Sequence, residues 1–322
     1  MRRRRTVLAG IGLAVALLAQ GGALAQAGGT RPIKLIVPFA AGTSTDIVGR
    51  VLAEALGRQL AQSVIVDNKP GAGGAIGSEL AARSGPEGQT LLLGTVGTHA
   101  INASLYKRLS YQPQRDFVPL GFLGATPTLL VVPAGAPWKS AADLRQADAK
   151  AVSFASAGNG TSGHLAGETL NLRLGKSFVH VPYRDGAQAM TELMAGNVQF
   201  MFYHPAAVLP QIRAGKLRAL GASSARRSMA APEVPTLAEQ GIPDFDLVAW
   251  FMLYAPADMP AAQRERLYQA TQAVLAQPEV RDKLAAQGIE PAAMDAAEMA
   301  RFGKAEIAKW GEAVRRSGAQ VD

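Results

Sequence analysis

The sequence predicts an α/β protein with two lobes, and three observations lead to that prediction. Short apolar runs typical of buried strands alternate with patterns typical of helices that bury one face. This alternation occurs once in the first part of the chain and starts again further on. Residues 26–322 also form a chain longer than one compact core usually holds. Strands separated by helices favour parallel sheets covered by helices.

The first array of elements begins shortly after residue 30. Its predicted strands are Ile33–Phe39, Val64–Asp67 and Leu91–Gly94. Within Asp46–Leu60, apolar residues recur at spacings of three and four. That spacing predicts a helix with one buried face between the first two strands.

The second array repeats this pattern and ends in helices. Its predicted strands are Val152–Ala155, Val179–Tyr183, Gln199–Tyr203 and Leu217–Ala222, and its predicted helices are Leu165–Leu174 and Ala187–Ala195. After Pro256 the chain is predicted to be helical, with Pro260 in a first helical turn and Gly318 ending the last helix. The last helix is predicted to bury Met299, Phe302, Ile307, Trp310 and Val314.

Residues 1–25 have the order of a secretory signal peptide. Arg2–Arg5 form a basic region, Thr6–Leu18 is almost wholly apolar, and Ala23–Ala25 is a small-residue cleavage site. We therefore expect export and cleavage after Ala25, with a disordered basic tail as the alternative. The apolar run is too short for a membrane anchor. Arg4–Leu8 also resembles a twin-arginine signal, which leaves the export route open.

Charge and cysteine content exclude several classes of protein. The chain has a net charge of +8, and residues 1–25 carry four of these charges, leaving +4 for residues 26–322. Without a lysine and arginine cluster there we expect no nucleic-acid binding, whereas a mildly positive surface suits an anionic ligand. The absence of cysteine excludes disulfides and lipid attachment through a cysteine. We expect a soluble mature protein.

Three glycine-rich loops stand between a strand and a helix, at Ala41–Asp46, Pro70–Gly77 and Ala157–His164. Such loops lie at the carboxyl ends of strands, where ligands bind in open α/β sheets. Glycine allows close approach of an anion to backbone N–H groups, and the helix dipole favours negative charge. Further donors are the hydroxyls of Thr43, Ser44, Thr45, Thr161 and Ser162. Alternatively, the hydroxyls only cap helices and the glycines only form turns.

The third loop contains a G-x-G-x-x-G pattern at Gly158, Gly160 and Gly163, which raises the possibility of a dinucleotide site. An exported protein has little access to NAD. Asp185 follows slightly beyond the position expected of a ribose-binding acid. The same geometry serves a carboxylate as well as a pyrophosphate, and we expect no cofactor.

Metal-binding and catalytic alternatives have weak support. The chain contains four histidines: His99, His164, His180 and His204. None has an evident partner at metal-ligand spacing and thiolates are absent, so no metal site is expected. A triad of Ser162, His99 and Asp46 would be arbitrary, because no G-x-S-x-G elbow exposes a nucleophile. We therefore expect no enzyme activity.

Asp46 has two interpretations. It either stabilises its helix through the dipole or faces the pocket and binds a ligand ammonium or hydroxyl group. Because a carboxylate beside an anion site is electrostatically unfavourable, the structural role is the better interpretation. Trp250, Phe251 and Trp310 are interpreted as packing residues.

Several segments together carry a family resemblance. They are Ile36–Phe39 with Gly42–Asp46, Asn68–Gly74, Thr98–Asn102 with Leu105–Lys107, Ser156–Glu168, His180–Tyr183, Gly215–Leu220 and Val234–Thr236. In these segments the chain resembles the Bug/TctC family of tripartite tricarboxylate transporter receptors. The resemblance extends in order over essentially all of residues 26–322.

The resemblance implies a type II periplasmic-binding fold, in which two α/β lobes enclose a ligand cleft. One lobe would comprise residues 26–127 and 248–322, and residues 128–247 would form the inserted lobe; Leu120–Pro133 and Leu247–Ala257 are the candidate crossings. The family's function implies a monomeric periplasmic receptor that binds a small carboxylate, an organic acid or amino acid, and delivers it to membrane permease subunits. Presentation of the ligand to a sensor kinase is an alternative, and a secreted hydrolase is a more remote one.

The resemblance also implies which residues bind the ligand. In the family, the first and third loops hold the carboxylate, partly through ordered water. Carried over to this chain, the candidates are Phe39, Thr43, Ser44, Thr45 and Asp46 on one lobe and Ala157, Gly158, Thr161, Ser162 and His164 on the other. Gly73, Gly74, Thr98 and Asp185 complete the candidate set.

This chain departs from the family pattern at several positions near these loops. Thr43 replaces the second of two paired glycines, and Gln199 stands where an acidic residue is common. Asp185 and Phe251 each replace a glycine, and the pair Tyr203-His204 is unusual. We expect these changes to alter ligand specificity.

Overall fold

The computed structural model describes residues 31–87 and 89–321. The predicted signal peptide and its cleavage site at Ala25 lie outside the described residues. The strands are β1 (Ile33–Val37), β2 (Val64–Asn68), β3 (Thr90–Thr95), β4 (Phe117–Pro127), β5 (Leu129–Pro133), β6 (Ser153–Ser156), β7 (Val179–Pro182), β8 (Phe200–Tyr203), β9 (Leu217–Ala222) and β10 (Val248–Pro256).

Helices alternate with these strands. They are α1 (Ser44–Leu60), α2 (Ala75–Ala82), α3 (Asn102–Leu105), α4 (Pro113–Asp116), α5 (Ser162–Leu174), α6 (Gly186–Met194), α7 (Pro205–Arg213), α8 (Ala261–Leu275), α9 (Pro278–Ala285) and α10 (Ala296–Ser317). Shorter helical turns occupy Ala72–Gly74, Gly97–Ile101, Ala142–Gln146 and Ala238–Gln240. Within the described ranges, no helix is both long and apolar enough to cross a membrane.

The strands form two sheets, which confirms the predicted α/β class. The first sheet has the order β2-β1-β3-β10-β4, and the second has the order β7-β6-β8-β5-β9. The first sheet takes its strands from before residue 128 and after residue 247, and the second takes its strands from the segment between them. The exact lobe boundaries, 26–127, 128–247 and 248–322, stay a prediction.

Both sheets are mixed, whereas the sequence predicted parallel sheets. In the first sheet β1, β2 and β3 are parallel, but β10 is antiparallel to β3 and β4. In the second sheet β5 is antiparallel to β8 and β9. These exceptions are strands through which the chain passes between the sheets. β4 leads the chain out of the first sheet and β10 leads it back in, so these neighbours run in opposite directions. The same holds in the second sheet, which the chain enters through β5 and leaves through β9.

A buried cluster of hydrogen bonds, formed by Thr128, Ser223 and Leu247, joins the two crossings. The Ser223 hydroxyl accepts from the Thr128 N–H and from the Thr128 hydroxyl, at 3.0 Å each, and donates to the Leu247 carbonyl at 2.7 Å. The Ser223 N–H donates to the Thr128 carbonyl, and the Leu247 N–H donates to the Ser223 carbonyl. These three residues therefore hold the ends of β4, β9 and β10 together where the chain changes sheet.

The last helix is attached to the first sheet by a buried carboxylate. Of the residues predicted to be buried on α10, Met299, Trp310 and Val314 are buried, while Phe302 and Ile307 are partly buried. The sequence did not indicate Glu306, whose Oε2 atom accepts from the Trp250 indole at 2.8 Å and from the Trp310 indole at 2.9 Å. Gly318 ends the helix in the left-handed conformation, as predicted. Pro260 lies one residue earlier than predicted, at the N-cap of α8.

Replacing Ser223 with alanine is expected to destabilise the protein. The substitution leaves the Thr128 N–H and the Leu247 carbonyl without this partner in a fully buried position. We expect the free energy of unfolding to fall by about 2–4 kcal/mol. Urea denaturation measures this change. Ser177→Ala, at an exposed serine, is the control and should stay within about 0.5 kcal/mol of wild type. Equal stability of the two variants would contradict the structural role of this hydrogen-bond cluster.

Candidate functional site

A small cavity of about 50 Å³ lies between the two sheets and is lined by residues from both lobes. A cavity of this volume holds a few water molecules. The residues lining it are Phe39, Thr43, Ser44, Thr45, Thr95, Val96, Gly97, Ala157, Thr161, Ser162, Gly163, Gly186, Phe202, Tyr203, His204, Ala249, Trp250 and Phe251.

The N-terminus of α1 forms one wall of the cavity. Thr43 is the N-cap residue, and its hydroxyl accepts from the Asp46 N–H at 3.4 Å. The same hydroxyl donates to the Ala40 carbonyl at 2.7 Å. A threonine hydroxyl has a single proton, so this bond leaves Thr43 no proton to donate to a ligand.

The N-terminus of α5 forms the opposite wall with the same cap design. The Thr161 hydroxyl accepts from the His164 N–H at 3.4 Å and donates to the Gly158 carbonyl at 2.8 Å. In both loops the threonine therefore bonds the residues three before and three after it. These two threonines fix the direction of the helix ends, as the capping alternative proposed.

The residues that follow the caps carry the free donors. Ser44 and Ser162 occupy the first helical position, and Thr45 and Gly163 occupy the second. N–H groups at these positions have no acceptor within the helix. The Ser44 hydroxyl oxygen is also buried without a hydrogen-bond partner. Both helix ends thus present unpaired donors, and their dipoles favour negative charge in the cavity.

The rest of the cavity wall is uncharged. None of its lining side chains is an aspartate, glutamate, lysine or arginine. Aromatic rings from both lobes form much of this wall: Phe39, Phe202, Tyr203, Trp250 and Phe251. The helix ends therefore supply the cavity's main electrostatic preference, and that preference is for an anion.

Glycines let the third loop touch the first lobe through its backbone. A Cβ atom on Gly97 would lie 2.8 Å from the Gly160 carbonyl oxygen, and one on Gly73 would lie 2.2 Å from the Asn159 carbonyl oxygen. A Cβ atom on Gly160 would approach the Asn102 amide oxygen to 2.3 Å. The lobes are therefore closed over the cavity, at a separation that side chains at these positions would prevent.

Asp46 lies outside the cavity wall and fastens the first loop. Its carboxylate accepts from the Gly42 N–H at 2.9 Å, from Arg50 Nε at 3.0 Å and from Asn68 Nδ2 at 3.0 Å. Burial by itself would raise the pKa of Asp46, but the hydrogen bonds from Arg50, Gly42 and Asn68 outweigh it and lower that pKa. These contacts support the structural interpretation of Asp46.

His164, Glu168 and His180 form a cluster beneath the third loop, with potential ligand atoms within 4.8 Å of one another. The expectation that no histidine has a partner at metal-ligand spacing was wrong for His164, because Glu168 lies four residues later on α5. The pairing of β6 with β7 brings His180 beside these two residues. The two imidazole rings stack at 4.1 Å with an angle of 19°, so their lone pairs do not converge well on one ion. His164 Nδ1 accepts from the Gly160 N–H, which places the proton of the neutral ring on Nε2, the nitrogen nearest Glu168.

The cluster instead supports the loop that forms the cavity wall. His180 Nε2 lies 2.7 Å from the Ser156 hydroxyl, and that hydroxyl accepts from the Gly158 N–H. Through Ser156 and His164, the stacked rings are linked to the backbone at Gly158 and Gly160. Because a protonated Nδ1 cannot accept, the hydrogen bond from the Gly160 N–H requires that His164 is uncharged.

The candidate residues from the sequence fall into two groups. Those on the cavity wall are Phe39, Thr43, Ser44, Thr45, Ala157, Thr161 and Ser162. Those outside it are Asp46, Gly73, Gly74, Thr98, Gly158, His164 and Asp185. The latter shape the loops: Gly74 has positive φ and packs against Thr98, Gly158 has a φ of 111°, and Asp185 caps α6.

Sequence reasoning missed the part of the wall formed by Tyr203, His204 and Gly186. From the sequence the pair Tyr203-His204 is only unusual for the family, although a polar pair at the carboxyl end of a strand is a signal for a site. A Cβ atom on Gly186 would lie 1.9 Å from the Tyr203 hydroxyl, so the glycine makes room for that ring. Trp250 and Phe251 combine packing with a place on the cavity wall.

Comparisons with known proteins agree on one family. The model of the tripartite tricarboxylate transporter family receptor matches residues 48–319. The protein BugT of Bordetella pertussis is 36% identical over 296 residues, which cover 90% of each chain. The structure of periplasmic binding protein BugD superposes with a TM-score of 0.84 and 32% identity, covering 90% of this chain and 98% of BugD. The structure of R. palustris Rpa4515 with adipate gives a TM-score of 0.85 at 31% identity, with the same coverage.

Acidification is expected to destabilise the fold below neutral pH. Burial lowers the pKa of His164 and His204 to about 4 and that of His99 to about 3. His180 falls to about 3 through burial and the neighbouring His164. Because the folded pKa values lie below the unfolded value of about 6.5, the unfolded chain binds more protons between pH 6.5 and 4. The stability that these buried, uncharged histidines contribute is therefore fully present above pH 6.5, and it is lost as the pH falls towards their folded pKa values.

We expect the free energy of unfolding to drop by more than about 2 kcal/mol between pH 7 and pH 5. Urea denaturation across this range measures the drop. His180→Gln removes one of the titrating groups and should reduce it. A stability that stays constant down to pH 5 would contradict the neutral, buried state of these rings.

Proposed function

The chain belongs to the tripartite tricarboxylate transporter receptor family, and from that premise we propose that its interlobe cavity binds a small carboxylate. One observation carries the proposal. Two helix N-termini, one from each lobe and each capped by a threonine, converge on a cavity without charged side chains. An anion enclosed there would be stabilised by both dipoles and by unpaired donors. The adipate in the Rpa4515 structure is a carboxylate and supports this assignment.

The proposed contacts follow from the free donors of the two helix ends. The carboxylate accepts from the N–H groups of Ser44, Thr45, Ser162 and Gly163 and from the hydroxyls of Ser44 and Ser162, directly or through water. A ligand of this kind would provide the missing partner of the buried Ser44 hydroxyl. The two threonine caps orient these donors without contributing a proton. The apolar part of the ligand lies against the aromatic wall.

The role of the chain is that of a receptor, and the site lacks the parts of a hydrolase. Ser162 lies 3.4 Å from His204 Nε2, but the Nδ1 atom of His204 has no acidic partner to orient it. His99 is buried in the first lobe against Tyr254, and Asp46 is held by Arg50 and Asn68. The triad of Ser162, His99 and Asp46 is therefore not assembled.

The cellular role extends this proposal. We propose that the chain is exported to the periplasm after cleavage behind Ala25 and acts there as a monomer. It would deliver its ligand to the membrane permease subunits of a tripartite transporter. One lobe would comprise residues 26–127 and 248–322, and the other residues 128–247. The two lobes would close on the ligand about the hydrogen-bond cluster of Thr128, Ser223 and Leu247.

Carboxylates are expected to stabilise the protein and their amides are not. A thermal-shift screen compares acids of three to six carbons with the corresponding amides, which keep the shape but lose the charge. A ligand at a hundredfold excess over its Kd adds about 2.7 kcal/mol of stability. Ser44→Ala should weaken binding of the best acid about tenfold to a hundredfold in calorimetric titration, with Ser177→Ala as the control. The proposal fails if amides stabilise the chain as well as acids do, or if no acid stabilises it.

Gly97→Ala is expected to impair closure without harming the fold. Gly97 has no positive φ, so alanine is not strained there, but its Cβ would lie 2.8 Å from the Gly160 carbonyl oxygen of the other lobe. Opening the cleft removes this contact, and we expect the Kd for the carboxylate to rise about tenfold while the melting temperature of the ligand-free protein changes little. Gly303→Ala, at a position with open space around it, is the matched control. Unchanged affinity in Gly97→Ala would show that ligand binding does not require this closed contact.

A further inference from the structure

His204, a residue of the cavity wall, has a buried ring nitrogen that the carboxylate contacts do not use. His204 follows β8, occupies the N-cap position of α7 without a side-chain cap bond, and lines the cavity. Its Nε2 atom lies 3.4 Å from the Ser162 hydroxyl. Its Nδ1 atom is buried and has no hydrogen-bond partner. A buried polar atom without a partner is costly and requires an explanation, and beside a binding cavity a ligand group is one source of the missing partner.

His204 is uncharged at neutral pH. Burial lowers its pKa to about 4. A neutral imidazole has one nitrogen that donates and one that accepts, and the partner of one nitrogen decides the role of the other. The hydrogen bond to Ser162 therefore determines what Nδ1 can bind.

A bound carboxylate fixes the direction of that hydrogen bond. Ser162 has one hydroxyl proton, and a carboxylate at the N-terminus of α5 accepts it. The Ser162 oxygen can then only accept from His204, so the imidazole proton lies on Nε2. Nδ1 is left with a lone pair and requires a donor. The same proton arrangement that binds the carboxylate thus makes His204 an acceptor for a second ligand group.

We infer that the preferred ligand is a hydroxycarboxylate whose hydroxyl group donates to His204 Nδ1. This inference rests on the proposed function, because the carboxylate sets the direction of the Ser162 hydrogen bond. A hydroxyl group brings the required donor without a charge. It suits a cavity whose lining includes no charged side chain.

Other substituents at the same carbon fit less well. An oxo group presents an acceptor to an acceptor, and accommodating it would turn the Ser162 proton away from the carboxylate. An ammonium group can donate, but it places a positive charge near two positive helix ends, and no lining carboxylate compensates it. An unsubstituted acid leaves Nδ1 without a partner.

The test compares acids that differ only at the second carbon. Calorimetric titration at pH 7.5 measures Kd values for propanoate, lactate, pyruvate and alanine, and separately for succinate, malate and aspartate. For whichever skeleton the wild-type protein binds, we expect the hydroxy acid to bind about five- to tenfold more tightly than the unsubstituted acid. The oxo and amino acids should bind more weakly than the hydroxy acid.

Two substitutions separate the nitrogen atoms of His204. His204→Asn keeps a polar acceptor near the position of Nδ1 and should retain the preference for the hydroxy acid. His204→Gln places its amide near Nε2, keeps the contact with Ser162 and should reduce the preference to within about twofold. Because each value is a ratio of two ligands on one variant, a general loss of stability cancels.

The possible results distinguish the two proposals. If unsubstituted acids bind as tightly as hydroxy acids, or if His204→Gln keeps the preference, this inference is wrong while the carboxylate receptor stands. If no acid binds the wild-type protein, the proposed function fails and the inference fails with it. A hydroxyl preference that is retained in His204→Asn and lost in His204→Gln establishes the contact with Nδ1.

Discussion

Two positively polarised helix ends face each other across one small cavity, and much of the site's design follows from this constraint. Like charges brought together in a closed, largely apolar space repel each other. An anion between them converts that repulsion into attraction from both sides. The energetic gain from closing the lobes is therefore greatest when a carboxylate is bound, since nothing else on the cavity wall carries a negative charge. A receptor needs this dependence of closure on its ligand.

The constraint explains why the polar groups of the two loops have separate tasks. Thr43 and Thr161 use their hydroxyl protons on backbone carbonyls and so hold the helix ends in place. The hydroxyls of Ser44 and Ser162, one residue later, make no such bond to a backbone carbonyl. Asp46 fastens the first loop from behind, and the stacked His164 and His180 support the third. A charge on either imidazole would add to the positive potential of the cavity, which their depressed pKa values prevent at neutral pH.

The cavity is also connected to elements far from the loops. Trp250 lines it and donates to Glu306 on the last helix, which also accepts from Trp310. The same strand, β10, begins next to the hydrogen-bond cluster of Thr128, Ser223 and Leu247 that joins the sheets. Strand β10 thus contributes to the wall of the site, begins at the crossing between the lobes and contacts the C-terminal helix. The position of the aromatic wall depends on this strand as much as on the loops.

The sequence by itself determined most of the elements and the family, because both depend on local patterns. Apolar periodicity located α1 and seven of the ten strands that the structure describes, while β4, β5 and β10 were identified only as candidate crossings between the lobes. Gly318 predicted the end of the last helix, and the glycine-rich loops predicted an anion site. Only the tertiary structure decided which loop residues face the cavity. The sequence treated the hydroxyls of Thr43 and Ser44 alike, but the helix geometry assigns one to the cap and leaves the other free. The roles of His204, Gly186 and Glu306 depend on contacts between segments distant in the chain. Such contacts leave no periodic signal, since they arise only when two sheets and the final helix pack together.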